Sequence, residues 1–327
     1  MRKIVIVLVA LASIALVFFA LQKRSEDRVA DLESRPLFSD AQRAVFDGLQ
    51  RIELQRGPQR VELVNADGGW GVASHDLYPA QRERIAALLH ALRGVRIVED
   101  KTDNPAHHAL LGLDPDADDS SALQVHLSNG NDQLSLVYGN TVGNGQLVRL
   151  GDGDQVWLVN RPFNISVNAQ DWLALNVISL PMERLATARW EYADGEVIEL
   201  DKAGDGAYNF RLADVPEQEQ AGNERLVNSM VLELVQLQAQ DVALRSELEL
   251  DEPLVRMQLA TFGDGRLHAS LYESEGKYWL LIDGFEAGTE SSLRVHDDPR
   301  WAYQLTIGQV ENLTKRRDDL IVSDTAQ

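Results

Sequence analysis

Residues 51–72 read RIELQRGPQRVELVNADGGWGV, and this stretch sets the fold class. Arg51-Ile52-Glu53-Leu54 alternates polar and apolar, as does Val61-Glu62-Leu63-Val64; that is the period of a strand with one buried face. Arg56-Gly57-Pro58 turns the chain between them, Ala66-Asp67-Gly68-Gly69 turns it again, and Trp70-Gly71-Val72 makes a third strand. Short strands joined by tight turns predict an antiparallel meander.

Outward from this stretch the pattern changes period. Pro79 is read as the first position of an amphipathic helix, with Ile85, Leu88, Leu89 and Leu92 spaced to form one apolar face and Gly94 as the stop. Val95 to Val98 then reads as a strand. Asp103 to Asp119 reads as a loop with one apolar island, Ala109 to Leu113. Leu123 to Leu127, Gln133 to Tyr138, Gln146 to Leu150 and Val156 to Val159 read as further strands separated by Gly-rich turns. Upstream, Ser39 followed by Gln42 fits a capping box opening a short helix through Asp47.

The second half runs through a similar order. Met182-Glu183-Arg184-Leu185 precedes strand signals at Arg189 to Tyr192, Val197 to Leu200 and Tyr208 to Phe210. A helix from Asn223 follows, with Leu226, Met230, Leu234 and Leu237 as its apolar stripe. Leu250-Asp251-Glu252-Pro253 echoes Leu113-Asp114-Pro115. Val255 to Leu259, Leu267 to Tyr272 and Tyr278 to Ile282 echo the later strands, and Tyr278-Trp279-Leu280-Leu281 is matched to Val156-Trp157-Leu158-Val159. Similar tails are read after each copy, at Ile178 to Leu185 and Ile307 to Leu313. The expectation is an internal duplication of about 130 residues per copy, each copy a strand meander with one helix on one face of a mostly antiparallel sheet. The fold class is therefore α+β.

The N-terminus is of another kind. Ile4 to Leu21 passes without a charge, with Ser13 its one polar residue, and as a helix would span roughly 27 Å, close to a bilayer core. A cleaved signal peptide wants small residues before the cut. Phe18 stands two positions before the best candidate, Ala20, so an uncleaved anchor is favoured. Arg2 and Lys3 precede the stretch, Lys23 and Arg24 follow it, and all 51 acids lie beyond it. The expected insertion leaves the tip in the cytoplasm and exports the rest. The expected domains are a transmembrane anchor at 1–24, a charged stalk at 25–36, a first α+β copy at 37–180 and a second at 181–327.

The chain has 327 residues, no cysteine and a formal net charge of −20. Disulfides, thiol nucleophiles and thiolate metal sites are excluded. So acidic a surface repels phosphate backbones, which disfavours nucleic acid as a partner.

One family shares this layout. After the anchor come Leu37-Phe38, Ile52-Glu53-Leu54, Gly69-Trp70, the amphipathic helix and Leu111-Gly112-Leu113-Asp114-Pro115. A Gly-rich hairpin then leads to Val156-Trp157-Leu158-Val159 and Asp171-Trp172. The chain resembles the bacterial domain-of-unknown-function family numbered 4340 over roughly residues 37 to 320, most strongly in the first copy. Members are commonly encoded beside ABC-type export permeases and gliding-motility-like auxiliary proteins. The resemblance implies an accessory subunit anchored in the bacterial inner membrane, with its C-terminal bulk in the periplasm. A transporter permease or a second anchored protein is the implied partner. No catalytic residues come with the resemblance.

Candidate chemistry is sparse. His107 and His108 are adjacent in a loop, without the spacing that metal ligands on a helix adopt. His75, His90, His126, His268 and His296 are scattered and form no motif with a serine. Asp114-Pro115-Asp116-Ala117-Asp118-Asp119 starts like a calcium loop but lacks the sixth-position Gly and twelfth-position Glu. Gly139 to Gly145 is Gly-rich but lies between strands, without the Lys and helix of a phosphate cradle. Trp70, Trp157, Trp172, Trp190, Trp279 and Trp301 are read as core aromatics rather than a ligand platform. Lys315-Arg316-Arg317 is read as ending the last helix favourably, with an electrostatic partner contact as the alternative. No catalytic, cofactor or metal site is expected. The leading expectation is a non-enzymatic accessory or scaffold subunit of an envelope transport complex. The alternative is a glycan- or peptide-binding module, and a hydrolase acting on envelope polymers is the third reading.

Overall fold

The computed structural model describes residues 34–66, 68–117, 120–151, 153–213, 224–289 and 291–321. The expected anchor, Ile4 to Leu21, and the stalk before Ser34 lie outside the described residues. Among the described residues no helix is long and apolar enough to cross a membrane. The chain divides into two compact units. The first takes the described residues up to Trp70 together with Arg82–Asp171; the second takes Gly71–Gln81 and the chain from Trp172 onward. The division after Asp171 lies ahead of the expected cut between 180 and 181. Gly71–Gln81, placed by sequence inside the first copy, belongs to the second unit.

The first unit opens with β1 (Arg35–Pro36). The Ser39 capping box is present, with the Gln42 amide donating to Ser39 Oγ, and the helix Asp40–Arg43 runs into a 3-10 turn at Ala44–Phe46. Then come β2 (Arg51–Arg56), β3 (Gln59–Ala66) and β4 (Gly69–Val72), on which the chain leaves the unit; β5 (Tyr78–Pro79) belongs to the excursion. The helix Arg82–Arg93 buries Ile85, Leu88 and Leu92 and leads to β6 (Arg96–Asp100). The remaining strands are β7 (Leu123–Ser128), β8 (Gln133–Val142), β9 (Gly145–Leu150) and β10 (Val156–Val159). Within the unit the sheet order is β1-β6-β10-β9-β8-β7-β2-β3. Its ladders are antiparallel.

Alternation along these strands builds two faces. Ile52, Leu54, Val61, Leu63, Val125, Leu127 and Leu136 are fully buried on one, each contributing about 1.5–3 kcal/mol. The other face is covered over part of its area. The segment between β6 and β7 recrosses the sheet and packs Leu113 and Ala122 on Val137, Leu147 and Val156, with Leu111 and Leu158 against them. The uncovered part is polar: Arg60 bridges Glu53 and Glu62 at 2.9 and 3.3 Å, and Arg51 reaches Glu62 at 2.5 Å.

After Gly71–Gln81, the second unit resumes with β11 (Ile178–Ser179), a 3-10 turn at Met182–Arg184, β12 (Leu185–Tyr192), β13 (Val197–Asp201) and β14 (Arg211–Leu212). The helix Glu224–Val235 follows, burying Val227, Met230, Val231, Leu234 and Val235. Then come β15 (Asp241–Leu244), β16 (Val255–Thr261), β17 (Arg266–Ser274), β18 (Lys277–Glu286), β19 (Arg294–Val295) and β20 (Trp301–Leu305), closed by short helices at Ile307–Leu313 and Arg317–Leu320. The sheet order is β14-β13-β12-β16-β17-β18-β20-β15. A small second-face core recurs: Trp279, Leu281 and Ala302, with Leu248 and Leu250 from the segment after β15 packed on them.

The architecture is α+β with mostly antiparallel sheets, as the alternation implies. Several sequence expectations are corrected. Pro79 does not open a helix. It pairs with Gly71 in β4–β5, its carbonyl accepts from the Ala174 amide at 2.9 Å, and the helix begins at Arg82. Tyr208 to Phe210 is not a strand; pairing with β13 begins at Arg211. Tyr278 to Leu281, matched by sequence to Val156 to Val159, falls in β18 between β17 and β20, whereas Val156–Val159 is β10 between β9 and β6. The two tails also differ, since Ile307–Leu313 is a helix and Ile178–Arg184 a short strand and 3-10 turn.

Candidate functional site

The feature least explained by folding is an apolar groove in the first unit. It is built on the segment that recrosses the sheet. Asn104 caps the 3-10 turn Pro105–His107 by accepting from the Ala106 amide at 3.1 Å. The next turn closes with the Leu113 amide donating to the His108 carbonyl at 2.8 Å, and Gly112 takes φ +69° within it. Asn140 pins this turn to β8: its side-chain amide donates to the Leu110 carbonyl at 3.2 Å, and its backbone amide to the Leu111 carbonyl at 2.9 Å. Leu111 and Leu113 thereby turn onto the sheet, while Leu110 is left 80% exposed. Val142 closes β8 ahead of the Gly143–Asn144 turn and is 44% exposed.

Leu110, Leu111, Val142 and Leu147 line a groove of about 500 Å³ whose polar boundary includes Asp100 and His107. Its charges are internally paired, Glu99 with Lys101 at 2.7 Å and Asp100 with Arg35 at 2.5 Å. His107 Nδ1 lies 3.4 Å from Thr102 Oγ1. The groove is thus an apolar surface whose charged edges are paired.

A second groove, about 440 Å³, lies on a sheet face of the second unit and mixes charged side chains with Leu200 and Leu259. One cross-strand row there runs Glu199, Arg189, Gln258, His268, with Arg189 bonded to Glu199. In the first unit the corresponding face carries the row Glu53, His126, Ser135, with His126 Nδ1 2.8 Å from Ser135 Oγ. This serine–histidine pair is nine residues apart in sequence. Cross-strand register would be needed to find it. It lies on a ladder whose strand amides face neighbouring strands, and Glu53 is held by Arg60. Acyl transfer also needs oxyanion donors converging on one reacting atom.

The other residues singled out by sequence are dispersed. His108 is buried, its Nε2 3.0 Å from the Asp154 carbonyl, and His75 Nε2 contacts Asp241 at 3.2 Å. His296 is partly buried in the second unit, with Nδ1 3.4 Å from the Tyr78 hydroxyl; burial holds its pKa below the ordinary imidazole value, opposed by Asp297. Asp114 accepts from the Asp116 amide at 3.1 Å, a local turn. Among the described residues no group of three or more His, Cys, Asp or Glu could hold a metal ion. Trp172, Trp190, Trp279 and Trp301 are buried, while Trp70 and Trp157 are half-buried. Lys315 reaches back to the Glu311 carbonyl at 3.5 Å, at the end of the helix Ile307–Leu313. Arg316 instead pairs with Asp194 and Glu196 and lies 3.9 Å over the Tyr192 ring.

A family model described as Domain of unknown function (DUF4340) matches residues 70–253. That span starts in β4 and ends just before β16. No curated protein and no solved structure matches the chain.

Proposed function

From the premise that the chain belongs to the DUF4340 family, we propose that it is a non-enzymatic accessory or scaffold subunit of an ABC-type transport complex of the bacterial envelope, gliding-motility-like in kind. It is held in the inner membrane by Ile4 to Leu21 as a single span, with both units in the periplasm. The observation that carries this reading is the uncharged stretch from Ile4 to Leu21, long enough for a bilayer, on a chain whose remaining net charge is strongly negative. The exposed Leu110–Val142 groove supports it, since an apolar surface with paired charges suits contact rather than chemistry.

Internal duplication belongs to the same reading. Read from β3, the first sheet runs β3-β2-β7-β8-β9-β10-β6; read from β13, the second runs β13-β12-β16-β17-β18-β20-β15. In each, a helix precedes the outlying strand and a Leu-Asp turn covers the second face. The glycan- or peptide-binding alternative has less support, because four of the six tryptophans are buried.

The test is purification of the full chain from membranes in mild detergent. The expected result is retention in the membrane pellet after alkaline wash and co-purification of a permease or a second anchored protein. A lone monomer, or a soluble chain trimmed of its first residues, would overturn the reading.

A further inference from the structure

We propose that the Leu110–Val142 groove of the first unit docks on the surface of a zwitterionic lipid bilayer, an inference that rests on the anchored reading above. Three observations carry it. The first is where the described chain begins. Arg96 Nε donates to Ser34 Oγ at 2.9 Å, and the Arg35 guanidinium sits on Asp100, which lines the groove. Residues 22–33 separate that point from Leu21, a reach of at most about 47 Å. An anchored chain therefore keeps the groove within reach of the lipid interface.

The second is the direction of the apolar groups. Leu110 stands at the tip of a turn and Val142 at the end of a hairpin, and both are exposed. Asn140 holds the Leu110 turn through two hydrogen bonds, so the side chain is presented outward in a fixed place. Folding gains little from a leucine there, whereas transfer to an apolar phase would gain most of its burial energy. The tether supplies a high effective concentration, so a weak contact suffices.

The third is charge. Glu99 with Lys101 and Asp100 with Arg35 neutralise the groove's edges, so a zwitterionic headgroup layer is not repelled. The chain's net charge of −20 disfavours an anionic one.

The test uses the full chain reconstituted into phosphatidylcholine vesicles and recovered by flotation. Because the chain has no cysteine, Leu110→Cys carries a single environment-sensitive fluorophore, and Ile307→Cys, exposed in the second unit, is the reference. The label at 110 is expected to shift to the blue and to be quenched by spin-labelled acyl chains, while the label at 307 stays water-like. Adding Val142→Asp to the labelled chain should lower the docked-to-undocked ratio about tenfold, and phosphatidylserine should lower it too. A floated chain whose two labels behave alike overturns the inference and leaves the anchor intact. Shielding seen only when other membrane proteins are present overturns it in favour of a protein partner. A chain that does not float overturns both readings.

Discussion

In the second unit the Tyr78 ring lies edge-on to Trp301 at 5.1 Å and to Tyr303 at 6.3 Å, and stacks with His296 at 6.4 Å. The Tyr78 hydroxyl donates to the Ala174 carbonyl at 3.0 Å and the Tyr303 hydroxyl to the His296 carbonyl at 2.9 Å. This setting gives a pH prediction. Burial lowers the His296 pKa from its ordinary 6.5, so the folded state resists protonation more than the unfolded chain does. The contribution is complete above 6.5 and is lost as pH falls through the lowered value. Urea midpoints should therefore drop on acidification below that range, and His296→Phe should flatten the profile. An unchanged profile would assign the acid sensitivity elsewhere. Tyr78 and His296 stand 218 residues apart, so no local pattern announces them. Lys202 is likewise hidden: its ammonium bonds the Met182 and Ala207 carbonyls and lies 4.5 Å over the Phe210 ring, where composition alone would place a solvated lysine.

Strands were the most legible elements, because alternation follows directly from one buried face. β2, β3, β7, β8, β9 and β10 all lie where the periodicity placed them, and the Ser39–Gln42 capping box forms as read. Pro79 reads as a helix start, but proline is tolerated in an edge strand as well, and the ladder with Gly71 places it in one. The segment covering the second face was legible only as a loop with an apolar island. Its fit to β8 makes a prediction at this scale. A Cβ on Gly139 would lie 2.5 Å from the Leu111 carbonyl oxygen and under 3 Å from the Leu113 side chain. Gly139→Ala should thus destabilise the first unit by about 1–3 kcal/mol, seen as a lower urea midpoint. The covering loop should also be cut faster by protease. A midpoint equal to wild type would mean that the loop shifts without cost.

At the scale of the whole molecule the chain passes out of the first unit at Trp70 and back at Arg82. The excursion is bound into the second unit by main-chain contacts: the Gln81 amide donates to the Trp172 carbonyl at 2.7 Å and the Ala174 amide to Pro79. Tyr78 is fully buried there. A fragment starting at Trp172 would lack these bonds and would leave a cavity for which emptying an aromatic site costs about 3–5 kcal/mol, a large part of a domain's stability. Such a fragment should show a depressed unfolding midpoint and weak amide protection, restored in part by a peptide of residues 71–81. A fragment as stable as the second unit in the full chain would show the excursion to be dispensable.

Local chemistry by itself determined the strand-rich α+β class, the two amphipathic helices, the uncharged N-terminal stretch and the absence of thiol chemistry, because each depends on neighbours a few residues apart. Only the tertiary structure decided which unit holds Tyr78, that β20 lies between β18 and β15, and that Leu110 is turned outward while Leu111 and Leu113 are turned in. Those outcomes depend on cross-strand register and on contacts between distant segments, which a one-dimensional pattern does not encode.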